Sequence, residues 1–175
     1  ICEAAREVDL RIFAPSSIAV FGPDAPKNAP QITPLNPTTK YGMTKVDCEI
    51  LGMIYHETYG VDIRGIRYPG LISWKSPVSG GTTDYAVDIF YKAKAGQPFS
   101  CFLKSETQLP MMFMDDAIRA TLELMEADTE KLSIRTAYNL AGCSFTPDEI
   151  TAEIQKHIPT FQVSYNPDFR QTIAD

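Results

Sequence analysis

Short apolar runs alternate with longer amphipathic stretches along the 175 residues. Apolar runs of strand length fall at residues 10–14, 61–67, 99–103, 111–114, 137–140 and 161–165. Between them, helical spacing predicts helices over 39–59, 84–95, 115–127 and 147–157, with residues 1–8 as the end of another. This order predicts an α/β protein with a mainly parallel sheet. Thr38 or Thr39 is placed to cap the helix over 39–59, and Gly60 to stop it. In that helix Val46, Ile50, Met53 and Ile54 form an apolar stripe, expected to pack on the sheet. Residues 23–37 hold five prolines and read as a surface loop, as do the Gly-, Pro- and Ser-rich residues 68–83. Asp115 and Asp116 suit a first helical turn, and Pro147 another. No internal repeat or low-complexity tract interrupts the pattern.

Hydrophobic residues at 44% and charged residues at 22% are those of an ordinary globular chain. A net charge of −6 leaves no basic footprint for nucleic acid or an anionic membrane. No apolar run approaches the roughly 20 residues that span a bilayer, and no signal-peptide pattern opens the chain. Cys2, Cys48, Cys101 and Cys143 are far apart and form no Cys-x-x-Cys pair. Free thiols in a reducing, intracellular setting are the simple reading, cytoplasmic or, in a eukaryote, the mitochondrial matrix. His56 and His157 are isolated from other ligand-type residues, so no metal is expected. Cys48 has no His or Asn pattern around it and reads as packing. Glu123, Glu126, Asp128 and Glu130 read as a solvated helix end.

One pair changes the picture. Tyr41 and Lys45 stand at i and i+4 on the helix over 39–59 and share a face. A free phenol titrates near 10 and is a poor base at pH 7, but a cation within roughly 4–6 Å favours its phenolate. A pair so arranged can take a proton from an alcohol. The bare spacing also occurs on solvated surface helices, so the upstream residues matter. The run at 10–14 leads into Pro15-Ser16-Ser17, hydroxyls at a strand end that can reach the same alcohol. A turn or helix cap is the plainer use of such serines.

Pro15-Ser16-Ser17-Ile18-Ala19-Val20-Phe21-Gly22, Tyr41-x-x-x-Lys45 and Arg67-Tyr68-Pro69-Gly70 together resemble the extended short-chain dehydrogenase/reductases. Within them, Tyr68-Pro69-Gly70-Leu71-Ile72-Ser73, Gly80-Gly81-Thr82-Thr83-Asp84-Tyr85-Ala86 and Leu109-Pro110-Met111-Met112 resemble the NAD-dependent L-threonine 3-dehydrogenases. The resemblance runs from about residue 10 to the end and implies a Rossmann-like doubly wound parallel sheet with a smaller α/β substrate-binding lobe. It implies NAD as cofactor and oxidation of the C3 hydroxyl of L-threonine to 2-amino-3-ketobutyrate. Tyr41 is then the base. Lys45 supports it and bonds the cofactor ribose, and Ser17 holds the substrate oxygen. Ser16 is expected near the substrate carboxylate or amine. Pro69 and Leu71 are expected against the nicotinamide, unless the turn there is an ordinary one. Gly80, Thr83 and Asp84 are expected to meet the substrate at a helix N-terminus, where a carboxylate is favoured, although Thr83 or Asp84 could equally serve as a plain cap. Trp74 either closes over the site or packs.

A dinucleotide-binding sheet opens with a glycine-rich turn, and no Gly-x-Gly-x-x-Gly occurs here. The resemblance implies that the chain is the C-terminal part of a longer enzyme, with residues 1–75 the remainder of the NAD-binding domain. Residues 76–175 are then mainly the substrate lobe, with 136–142 returning to the main sheet. Nucleotide-sugar members carry an Arg where this chain has Leu109, which favours a small substrate over a diphosphate. The alternatives are a nucleotide-sugar epimerase or dehydratase, or a non-catalytic remnant without the cofactor module. The family also implies a two-fold homodimer through helix 39–59, with Leu51 or Tyr55 meeting the partner.

Overall fold

In a computed structural model, which describes residues 1–75 and 77–175, the chain forms two compact units. The elements in chain order are α1 (Cys2–Val8), β1 (Ile12–Ser17), α2 (Lys40–Tyr59), β2 (Ile63–Tyr68), β3 (Gly70–Ile72), α3 (Tyr85–Lys94) and β4 (Phe99–Cys101). Then follow β5 (Leu109–Phe113), α4 (Met114–Glu126), β6 (Tyr138–Asn139), β7 (Cys143–Phe145), α5 (Pro147–His157), β8 (Val163–Tyr165) and α6 (Phe169–Ala174). Among the described residues, no helix is long and apolar enough to cross a membrane.

The first unit comprises Ile1–Pro69 and Asp115–Leu140. Its sheet has the order β1-β2-β6, with every pairing parallel. Helix α2 is the crossover between β1 and β2, as parallel strands require. The Thr39 hydroxyl accepts the Gly42 N–H at 3.0 Å and caps α2, and Gly60 ends it with φ 71°, a left-handed conformation that glycine adopts without strain.

The inner face of α2 differs from the sequence expectation. Its buried residues are Gly42, Glu49 and Gly52. Ile50, Met53 and Ile54 of the predicted stripe are 48%, 42% and 49% exposed; only Val46 is half-buried. Apolar periodicity marks a face but not the direction it points. Here small residues let the helix approach the sheet, and a paired carboxylate fills the remaining space. Tyr55 packs against the small core of Ala5, Val61 and Ile63, and its hydroxyl donates to Glu3 Oε1 at 2.6 Å. It joins α1 to α2 while staying partly exposed, and Leu51 is exposed.

The central strand β2 carries two buried arginines, Arg64 and Arg67. Arg64 Nη1 donates to the carbonyls of Leu124 and Ala127, each at 2.6 Å, and to that of Met125 at 3.1 Å, so a cation covers the acceptor-rich end of α4. Its other nitrogens bond Asp62 and Thr129. Partial burial alone would raise the Asp62 carboxyl. Hydrogen bonds from Arg64 and Arg11, with the Arg64 charge, outweigh it and hold the group near 2.

The second unit comprises Gly70–Met114 and Ala141–Asp175. A sheet of order β3-β5-β7, antiparallel only between β5 and β7, and a parallel pair β4-β8 enclose one core. Tyr85 and Ile89 of α3, Met111 of β5 and Ile150 and Ile154 of α5 fill it. A reciprocal capping box, Thr146 with Glu149, starts α5 beside Pro147. The two units divide between residues 69 and 70, and all but the first residue of α4 lies in the first unit. Strands β3 and β7 and helix α6 formed where the sequence pattern predicted loop or nothing. The loop reading over 68–83 includes Ser76, which lies outside the described residues.

A carboxyl held low contributes stability above its ordinary pKa, and that stability is lost as pH falls toward the lowered value. Asp62→Asn is therefore expected to lower the urea midpoint at pH 7. The difference from wild type should shrink between about pH 5 and pH 2. A difference that stays constant over this range would show that the Asp62 charge contributes nothing.

Candidate active site

In the first unit, the end of β1 carries Ser16 and Ser17, and the start of α2 carries Tyr41 and Lys45. Lys45 Nζ donates to the Pro15 carbonyl of β1 at 2.6 Å. The same ammonium lies 5.5 Å from the centre of the Tyr41 ring, one helical turn earlier. Ser17 ends β1 two residues beyond Pro15, and its Oγ accepts the Ala19 N–H at 3.2 Å, capping the 3-10 turn Ile18–Val20. Tyr41 is 56% exposed, so its phenol is open to an incoming molecule. An exposed phenol, an ammonium beside it and a hydroxyl at a strand end make a set suited to moving a proton to or from an alcohol.

Ser16 is placed differently from its neighbour. It is 7% exposed, and its hydroxyl donates to Glu49 Oε1 at 2.5 Å. Glu49, one turn after Lys45, also receives Arg67 Nε at 3.0 Å on Oε1 and Arg67 Nη2 at 2.6 Å on Oε2. The remaining Arg67 nitrogen donates to Asn139 Oδ1 of β6 at 3.0 Å. The Gln31 side chain anchors the proline-rich loop to the same strand, donating to the Ala137 carbonyl and accepting the Asn139 N–H. Sequence reasoning assigned no role to Glu49 or Arg67. The only signal was spacing, since Tyr41, Lys45 and Glu49 recur every fourth residue on one face.

Pro69 directly follows β2 and closes the first unit. The other predicted residues lie in the second. Leu71 is half-buried in β3 opposite Met112. Asp84 Oδ2 accepts the N–H groups of Ser79, Gly80 and Gly81 at 2.8, 2.7 and 2.8 Å. That carboxylate organises the loop before α3 instead of capping the helix, and its oxygen is engaged by the protein itself. Thr83 is half-buried and packs over Gly70, where an added Cβ would lie 2.6 Å from the Thr83 Cβ. Trp74 is 70% exposed, and its carbonyl accepts the Tyr91 hydroxyl. Leu109 lies in the core of this unit with Tyr85 and Ile89. His56 Nδ1 contacts the Val61 carbonyl, and among the described residues no three His, Cys, Asp or Glu gather as a metal site would need.

The fold is Rossmann-like, and residues 1–141 match the model of the NAD dependent epimerase/dehydratase family. The chain belongs to that family. It is 51% identical to the mitochondrial L-threonine 3-dehydrogenase of Bos taurus, covering all of this chain and 47% of that protein. The chain thus spans about half the length of the curated relatives it matches. Among solved structures, the GalE-like L-threonine dehydrogenase of Cupriavidus necator (apo form) superposes with a TM-score of 0.97 at 56% identity, over 99% of this chain and 63% of that one. A monomeric L-threonine 3-dehydrogenase from a metagenome database is 52% identical with a TM-score of 0.95, over 99% of this chain and 56% of that one.

Gly42 is the residue that lets α2 reach β1. A Cβ there would lie 2.2 Å from the Ala19 carbonyl oxygen and 2.6 Å from the Pro37 Cβ. Gly42→Ala is expected to push the helix start outward and cost about 1–3 kcal/mol, as overpacking does. Equilibrium unfolding measures this, and a variant as stable as wild type would show that the approach has slack.

Proposed function

We propose that the chain is the catalytic C-terminal part of an NAD-dependent L-threonine 3-dehydrogenase. The observation that carries this reading is the bond from Lys45 to the Pro15 carbonyl, which ties the Tyr41 helix to the strand ending in Ser17. In this reading Ser17 Oγ and Tyr41 Oη both bond the C3 hydroxyl of threonine, and Tyr41 takes its proton. NAD, when bound, accepts the hydride from the same carbon. The donor set fits the cofactor: an ammonium has three N–H groups, and Lys45 directs one to Pro15, leaving two for ribose hydroxyls. The family resemblance is the support for assigning Pro69 and Leu71 to the nicotinamide and Gly80, Thr83 and Asp84 to the amino acid. Ser16, with its hydroxyl on Glu49, supports the site from within.

Leu109 favours threonine over a sugar nucleotide. It is 9% exposed within an apolar core, where a cation for a diphosphate would be buried without a partner. The full-length protein is expected to reduce NAD on addition of L-threonine, with no turnover of UDP-galactose. Tyr41→Phe should lower kcat by roughly 10²–10⁴ with NAD affinity nearly unchanged. Half the wild-type kcat in this variant, or epimerisation of UDP-galactose at a comparable rate, would contradict the assignment. The setting is intracellular, cytoplasmic or, in a eukaryote, the mitochondrial matrix.

The assembly we propose is a two-fold homodimer through α2. Its support is the exposed apolar strip Met43, Ile50, Leu51 and Ile54, which water alone would cover at a cost. Leu51 is exposed and Tyr55 half-buried, and either is proposed to meet the partner. Light scattering at micromolar concentration should give twice the chain mass, and Ile50→Glu with Ile54→Glu should give a monomer. A monomeric wild type would overturn the dimer.

A further inference from the structure

The most unusual group in the first unit is Glu49. It is a carboxylate, 6% exposed, on the side of α2 where apolar side chains normally sit. The positions beside it on that face interlock little with the sheet, and the other polar tie to β1 is the Lys45 bond to the Pro15 carbonyl. Gly42 and Gly52 offer no side chain to interlock, and Lys45 and Val46 are only half-buried. Apolar packing on such a face is non-directional and leaves roll and sliding weakly determined. A fork is directional. Arg67 offers Nε and Nη2 to the two Glu49 oxygens at 3.0 and 2.6 Å, a bidentate pair with one good geometry. Arg67 itself is fixed on the central strand β2 and braced by Asn139 of β6 and the Phe21 ring. Ser16 completes the cluster, its hydroxyl reaching Glu49 Oε1, which Arg67 Nε also bonds, from β1. Ser16 adjoins Ser17, and Glu49 lies one turn from Lys45 and two from Tyr41.

We propose that Glu49, clamped by Arg67 and Ser16, is the positioning residue that sets the distance and angle between Ser17 and the Tyr41–Lys45 pair. One carboxylate touches both elements: the strand that delivers the hydroxyl and the helix that delivers the base. A slip of one residue would turn the helix by about 100° and shift it 1.5 Å. A misplacement of 1 Å at a reacting centre can cost about 10²-fold in rate. Glu49 makes no contact with substrate or cofactor in this account and acts only through Tyr41, Lys45 and Ser17. The inference rests on the dehydrogenase reading for its kinetic consequence, but the geometry it concerns can be read without turnover.

The experiment uses full-length protein with Glu49→Gln and Ser16→Ala. Glu49→Gln preserves shape and breaks the charged fork; it leaves Arg67 buried without its counter-charge and can fail to fold. Ser16→Ala removes one hydroxyl and keeps the ion pair, so it serves as the second probe. In each folded variant kcat is expected to fall at least tenfold while the KM for L-threonine and the Kd for NAD stay within about threefold, because binding groups are retained and alignment is lost. The deuterium isotope effect with threonine labelled at C3 should rise as the chemical step becomes limiting. Independently of turnover, the tyrosine Cζ resonance of Tyr41, assigned by its loss in Tyr41→Phe, should move in Ser16→Ala relative to wild type. A wild type that does not oxidise threonine would defeat the dehydrogenase reading, and the Tyr41 resonance would still decide the positioning. An unmoved resonance would overturn the proposal, and so would lowered stability with kcat unchanged.

Discussion

The first unit turns on one buried ion pair. Arg67 and Glu49 are 7% and 6% exposed, and neither could be left there alone. Removing one partner of such a pair costs about 3–5 kcal/mol because the other charge remains desolvated. The pair therefore does little for net stability but excludes arrangements in which the two groups do not meet. Through Arg67 it fixes α2 to β2, through Ser16 to β1, and through Asn139 to β6. The proline-rich loop is tied to the same place by Gln31. A helix whose inner face is glycine and charge is held by geometry rather than by bulk.

The proposed chemistry depends on where that helix starts. The Thr39 cap starts α2, Gly42 brings its first turn against Ala19, and Lys45 closes the contact on Pro15. These three local features leave Tyr41 at the surface beside Lys45, at the same end of the sheet as Ser17. The second unit is built on a conventional apolar core, and its distinctive polar feature is Asp84 gathering three backbone N–H groups. A carboxylate that shapes a loop from within is a different device from one that binds a ligand.

The sequence carried some of this plainly and some not at all. Both ends of α2 were readable because caps are local: Thr39 and Gly60 act on backbone within one turn. The closeness of Lys45 to Tyr41 was readable because i and i+4 share a helix face; the role proposed for Ser17 came from the family resemblance. The direction of the α2 stripe was not, since Ile50, Met53 and Ile54 have the same period whether they face the sheet or solvent. Only the tertiary pairing of Glu49 with Arg67 settles that, and a glutamate on a helix carries no local sign of burial. Strand β3 was missed for a similar reason. Its three residues lie in a Gly- and Pro-rich stretch and owe their extended form to pairing with β5, more than 40 positions away.

We propose that Ser17 and the Tyr41–Lys45 pair act on one oxygen atom. A crystal structure of the full-length protein with NAD and L-threonine tests it most directly. The predicted result places the threonine C3 oxygen within about 2.6–3.2 Å of both Tyr41 Oη and Ser17 Oγ, with Lys45 on the cofactor ribose. A threonine whose C3 oxygen is bonded by neither Tyr41 nor Ser17 in a closed, cofactor-bound site would contradict it.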